Sequence, residues 1–127
     1  MRQASGSHQY ALVVEDDADV RSLAAAMLEE TELDVVEVES GEDALAFLER
    51  HGPAVALIFA DVWLSGAIDG VELARTVKRR WPSVRVLVTS GNPGERLRDL
   101  PRDAAFVRKP WRALDILVAA EKAAAHI

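Results

Sequence analysis

Five polar side chains stand directly beyond short apolar runs. Glu15 and Asp16 follow the run 10–14, Asp61 ends the run that begins at Val55, Thr89 follows the run 84–88, and Lys109 lies just past the run 104–107. Apolar stretches of this length are the pattern of strands buried in a parallel sheet. In open α/β sheets, ligands bind beyond the carboxyl ends of such strands. Three carboxylates gathered there repel one another unless a cation stands among them. Magnesium meets that need, because it takes oxygen ligands through one or two carboxylates, keeps several waters and accepts phosphate oxygens. Zinc does not. The chain has no cysteine, and His8, His51 and His126 fall in the N-terminal tail, at a helix end and near the C-terminus, where solvated surface is the expectation.

With magnesium balancing two carboxylates, the third is free to act as a nucleophile toward phosphorus. Asp61 is the candidate, since it stands alone at the end of the most continuous apolar run, whereas Glu15 and Asp16 are adjacent and can share the metal. Lys109 then brings a mobile positive charge to one phosphoryl oxygen, and the Thr89 hydroxyl donates to another. Acidic residues at strand ends also cap helices. That accounts for Asp16, Asp17 or Asp69 singly, but not for Asp61, Thr89 and Lys109 together.

The elements that hold these groups alternate along the chain. Val20, Leu23, Ala24, Met27 and Leu28 mark one face of a helix over 19–30. Residues 34–39 alternate as in a half-exposed strand, with Val36 and Val38 to one side and Glu37 and Glu39 to the other. Ser40 with Asp43 resembles a capping pair, residues 44–48 supply an apolar face, and Gly52 with Pro53 ends that helix. Asp69 with Glu72 repeats the pattern before Val71, Ala74, Val77 and Trp81. Residues 91–103 are interrupted by Pro93, Gly94 and Pro101, leaving at most two helical turns around 95–100. Trp111, Leu114, Leu117 and Val118 mark the inner face of a last helix over 111–124. Strand and helix alternating five times imply right-handed crossovers and a doubly wound (βα)5 α/β domain with a parallel five-stranded sheet.

A chain of 127 residues is the size of one domain, here a flexible tail over 1–8 and a folded unit over 9–127. Fifteen basic against 21 acidic residues give a net charge of −6, which offers no general attraction to nucleic acid or anionic lipid. The basic run at Lys78, Arg79 and Arg80 reads as a solvated helix end that complements the dipole. The short polar start has neither a signal peptide nor an anchor, and no apolar run approaches bilayer length, so a cytoplasmic location is expected. No glycine-rich phosphate loop is present, which weakens a nucleotide-binding reading.

These residues resemble the receiver domains of two-component response regulators over roughly 9–125. The similarity lies in Val13 to Asp17, in Asp61 followed by Leu64, Asp69 and Gly70, in Thr89 with Ser90, and in Lys109 with Pro110, all in family order and spacing. The resemblance implies a flavodoxin-like strand order 2-1-3-4-5. It also implies that Asp61 accepts a phosphoryl group from a histidine kinase or histidine phosphotransfer protein. It assigns Asp16, Asp61 and the Trp63 backbone carbonyl as direct magnesium ligands, places Glu15 behind a water, and makes the Lys109–Pro110 bond cis. Thr89 and Phe106 would form the conformational switch, with phenylalanine where many members have tyrosine.

Partners of such domains dock beside the first helix, where Val20, Ala24 and Met27 are candidates, and beside the loop of Pro110 and Trp111. The downstream protein is unknown, and a homodimer is an alternative to a monomer. The loop after Asp61 lacks the usual proline and has an extra residue, a variation similar to that of stand-alone and hybrid-kinase receivers. The starting methionine and polar tail favour the stand-alone form, while a phosphate sink or a piece of a hybrid kinase are alternatives. Trp63 and Gly91 occupy positions that in the family influence hydrolysis of the aspartyl phosphate. A signalling phosphoacceptor rather than an enzyme is therefore expected. A magnesium-dependent phosphohydrolase would also use an Asp nucleophile, but carries a second Asp two positions on, where this chain has Trp63.

Overall fold

A computed structural model describes residues 8–124 of the chain. The expectations for residues 1–7 and for His126 lie outside them. Five strands, β1 (Tyr10–Val14), β2 (Asp34–Val38), β3 (Val55–Asp61), β4 (Arg85–Ser90) and β5 (Ala105–Arg108), form one parallel sheet in the order 2-1-3-4-5. Four α-helices cover it: α1 (Ala18–Leu28), α2 (Gly41–His51), α3 (Gly70–Arg80) and α4 (Ala113–Ala124). α1 and α4 pack on one face and α2 and α3 on the other, which gives two apolar layers separated by the sheet. The doubly wound flavodoxin-like fold follows from this order and covering.

Burial grades across the sheet as the sequence pattern implies. All seven residues of central β3 are buried, whereas edge strand β2 buries none fully and leaves Glu37 exposed. Three helices begin at short acceptor side chains that satisfy otherwise unpaired amides. Asp17 accepts from Asp19 and Val20, Ser40 from Asp43, and Asp69 from Glu72. At the basic end of α3, Arg79 and Arg80 are exposed, as expected, whereas the Lys78 side chain is largely buried. Lys78 Nζ donates to the carbonyls of Pro82 and Val84, while Arg80 pairs with Glu49 and lies over the Trp81 ring.

The fourth connection holds a 3-10 segment at Gly94–Asp99, within the two helical turns expected, because proline and glycine frame a stretch too short to sustain α-helical bonding. Two helix faces need correction. The inner face of α4 is Ile116, Ala120 and Ala123, while Leu114 and Val118 are exposed. Trp111 lies before the helix starts, so a periodicity counted from it points the face the wrong way. On α1, Leu23 is half exposed and Ala25 is buried in its place; the small side chains of Ala24, Ala120 and Ala123 let α1 and α4 lie close together. His8 is exposed, as expected, with its Nδ1 2.7 Å from Asp34 Oδ2 and its ring against Tyr10. His51 is exposed, as expected, with its ring beside Phe47 and Tyr10.

The turn from β3 into α3 brings backbone against backbone. Gly70 N–H donates to the Val62 carbonyl at 2.8 Å, and a β-carbon at Gly70 would overlap the Asp61 carbonyl oxygen. Gly70→Ala is therefore expected to cost about 1–3 kcal/mol of stability by forcing this turn apart, measured as a lowered midpoint in urea unfolding.

Candidate functional site

The site is built from the carboxyl ends of β1, β3, β4 and β5. Glu15 follows β1, Asp61 closes β3, Thr89 lies next to Asp61 in the β3–β4 register, and Lys109 follows β5. Glu15, Asp61 and Thr89 are all buried. Lys109 Nζ lies 2.7 Å from Asp61 Oδ2 and 3.4 Å from Glu15 Oε1, so one ammonium bridges two carboxylates. The other Asp61 oxygen, Oδ1, accepts from the Trp63 amide at 3.0 Å, which fixes the rotation of the carboxylate. Asp16 is exposed, and its Oδ2 accepts from the Ser65 amide at 3.1 Å. The Lys109–Pro110 peptide is cis, in line with the resemblance.

The electrostatics record an excess of negative charge. Burial pushes the Glu15 carboxyl up to about 7, with neighbouring Asp61 adding to the rise and Lys109 opposing it. For Lys109, burial works against the charge, but the hydrogen bond and charge of Asp61, with Glu15 beyond it, raise the ammonium above its ordinary value. Partial burial likewise opposes the Asp16 charge, but hydrogen bonding by Glu15 and Ser65 outweighs it and lowers the carboxyl. Among the described residues no three His, Cys, Asp or Glu side chains are drawn together as a metal centre. Magnesium asks for less, since one or two carboxylates and waters suffice. The hard oxygen donors of Glu15, Asp16 and Asp61, balanced by a single ammonium, fit such an ion.

Several functional contacts had no signal in the sequence. The Thr89 hydroxyl accepts from Trp111 Nε1 at 2.6 Å. The Trp63 side chain, half exposed, donates from Nε1 to the Asn92 carbonyl at 2.8 Å, joining the loops that follow β3 and β4. Asp69, read as a helix cap, also forms a two-pronged pair with Arg96 at 2.8 and 3.0 Å, and Arg96 reaches Asp99 at 2.7 Å. Cap residues announce themselves by position, but a partner 27 residues away does not. Phe106 is half-buried against the α2–α3 layer. Of the docking candidates, Ala24 is core, Met27 packs against core and Val20 is half-buried, while the large exposed apolar residue on α1 is Leu23.

Residues 11–121 match the family described as the response regulator receiver domain. The chain belongs to that family. Relatives include the nitrogen assimilation regulatory protein NtrX of Azorhizobium caulinodans, 34% identical over 88% of this chain and 25% of that protein. The response regulator receiver protein CpdR of Brucella abortus is 29% identical over 87% of this chain and 92% of its own length. The receiver thus spans about a quarter of the former relative and nearly all of the latter. Among solved structures, the receiver domain of NtrX from Brucella abortus matches with a TM-score of 0.76 and 29% identity, covering 91% of this chain and 98% of that one. No helix among the described residues is long and apolar enough to cross a membrane.

The Asp69–Arg96 pair ties the 3-10 segment to the start of α3. Partial burial opposes the Asp69 charge, but the hydrogen bond of Arg96, the Glu72 amide and the charge of Arg96 outweigh it and hold the carboxyl below its ordinary 3.8. A depressed pKa stabilises the fold above that ordinary value, and the contribution is lost as pH falls through the lower, folded value. Arg96→Ala is expected to unfold about 0.5–1 kcal/mol more easily than the natural protein at neutral pH. The difference should close well below pH 3.8, as read from paired urea titrations.

Proposed function

We propose that this receiver takes a phosphoryl group onto Asp61 from a phosphohistidine on a histidine kinase or histidine phosphotransfer protein, and passes the signal on by a change of conformation. The observation that carries the reading is the Lys109 ammonium 2.7 Å from Asp61 Oδ2, with Thr89 in the adjoining register position. One carboxylate oxygen of Asp61 forms a bond to phosphorus as the phosphorus–nitrogen bond breaks. The departing imidazole retains the electron pair of that bond. The Trp63 amide holds Asp61 in one rotation, and Lys109, already charged, follows the negative charge onto a phosphoryl oxygen. The Thr89 hydroxyl donates to another oxygen. Asp16, Asp61 and the Trp63 carbonyl are the proposed direct magnesium ligands, with Glu15 acting through a water; when bound, the ion supplies charge neutralisation at the phosphoryl group.

The chain acts on its own carboxylate and turns over no separate substrate in this reading. Two residues past Asp61, where a phosphohydrolase needs a second carboxylic acid, Trp63 has an indole directed to Asn92. Thr89 and Phe106 form the proposed switch, Thr89 being drawn toward the phosphoryl group and Phe106 repacking against the α2–α3 layer. The exposed Leu23 of α1, with Pro110 and Leu114 near the start of α4, offers apolar contact for a kinase or phosphotransfer helix.

Incubation with acetyl phosphate and magnesium should add the mass of one phosphoryl group to the intact protein. The gain should vanish without magnesium and in Asp61→Asn; an adduct persisting in that variant would rule out Asp61 as the acceptor. The Trp63 indole ties the loop after β3 to the loop after β4 through the Asn92 carbonyl, and Trp63→Ala, which frees both loops beside Asp61, should lose the adduct several-fold faster, followed by mass against time after the donor is removed.

A further inference from the structure

The Thr89 hydroxyl is held from behind. Trp111 follows the Lys109–Pro110 bond and precedes α4, and its ring stands edge-on to buried Phe59, with centroids 5.1 Å apart and planes at 63°. Phe59 lies two residues before Asp61 on β3, and Lys109 Nζ is 5.9 Å from the Trp111 ring centroid. Trp111 therefore lies against the strands that carry Asp61 and Thr89 and close to Lys109. Its Nε1–H donates to Thr89 Oγ1 at 2.6 Å. The space among Glu15, Asp61, Thr89, Phe59 and Trp111 is too small for a water molecule.

An indole nitrogen only donates, whereas a threonine hydroxyl both accepts and donates. The bond from Trp111 occupies a lone pair of Thr89 Oγ1 and leaves its proton to be given to another acceptor. An unanchored hydroxyl rotates to suit whichever neighbour is nearest. Donation into an oxygen also strengthens the bond that oxygen makes with its own proton, as in any chain of hydrogen bonds. We propose that Trp111 is a positioning residue for phosphoryl transfer: its indole N–H fixes the Thr89 hydroxyl with its proton available to a phosphoryl oxygen on Asp61. This inference rests on the reading of Asp61 as the acceptor.

Trp111→Phe keeps an aromatic ring against Phe59 and removes the donor. With acetyl phosphate and magnesium, its adduct should form about three- to tenfold more slowly than that of the natural protein, the scale of one lost hydrogen bond. The same substitution should have that effect in a Thr89→Ser background, which retains the hydroxyl, and none in Thr89→Val, which lacks it. Equal losses in both backgrounds would mean that Trp111 merely packs, and would overturn the proposal. A second readout leaves Trp111 in place. In nitrogen–proton spectra, the Trp111 indole signal should be protected from solvent exchange, and Thr89→Val, but not Thr89→Ser, should remove the protection. An unprotected signal in the natural protein would also overturn the proposal. A natural protein that gains no phosphoryl group overturns the acceptor reading and this inference together. A natural adduct with an unchanged rate in Trp111→Phe overturns this inference alone.

Discussion

Two carboxylates, Glu15 and Asp61, are buried side by side at the ends of adjacent parallel strands, and one ammonium from a third strand end must offset them. Isolated, each charge would be costly in this setting, and burial already drives Glu15 up to about 7. The arrangement is therefore short of positive charge by design of its own residues. A divalent cation would answer that shortage.

The remainder of the fold keeps this cluster in place. β3 is buried along its whole length, so the position of Asp61 is set by apolar layers on both faces of the sheet. Gly70 lets the chain turn back against the Asp61 carbonyl, and the Val62 amide bonds to the Thr89 carbonyl at 2.9 Å, joining β3 to β4 at the level of the site. Around this rim, three side chains reach between loops: Trp63 to Asn92, Arg96 to Asp69 and Trp111 to Thr89. The first two link segments that follow different strands, and the third links the segment after β5 to β4 itself.

The 3-10 segment at Gly94–Asp99 departs from the regular alternation of strand and α-helix. Its six residues cannot form a long helix or bury a continuous apolar stripe, and none of them is fully buried. The ion pair of Arg96 with Asp69 anchors it to the start of α3 instead, while the pair of Arg96 with Asp99 closes within the segment. Such an attachment is electrostatic and partly solvated, hence weaker than the packing that holds α1 and α4 to the opposite face. The side of the molecule next to Phe106 is accordingly the more easily rearranged.

Local chemistry along the chain determined the strands, the helix caps and the residues at the strand ends. Apolar run length and capping positions are properties of adjacent residues, which is why Asp61, Thr89 and Lys109 were legible together. Helix faces were less so: Leu23 and Leu114 belong to apolar periodicities yet are exposed, because close packing of α1 on α4 favours alanines. Tertiary structure alone decided that Lys109 bridges Glu15 and Asp61, that Arg96 closes on Asp69, and that Trp111 bonds to Thr89. Such contacts depend on the crossing of distant strands and on the direction in which a long side chain leaves its loop. No residue spacing encodes those two quantities, because both arise only when the sheet is assembled and its two faces are filled.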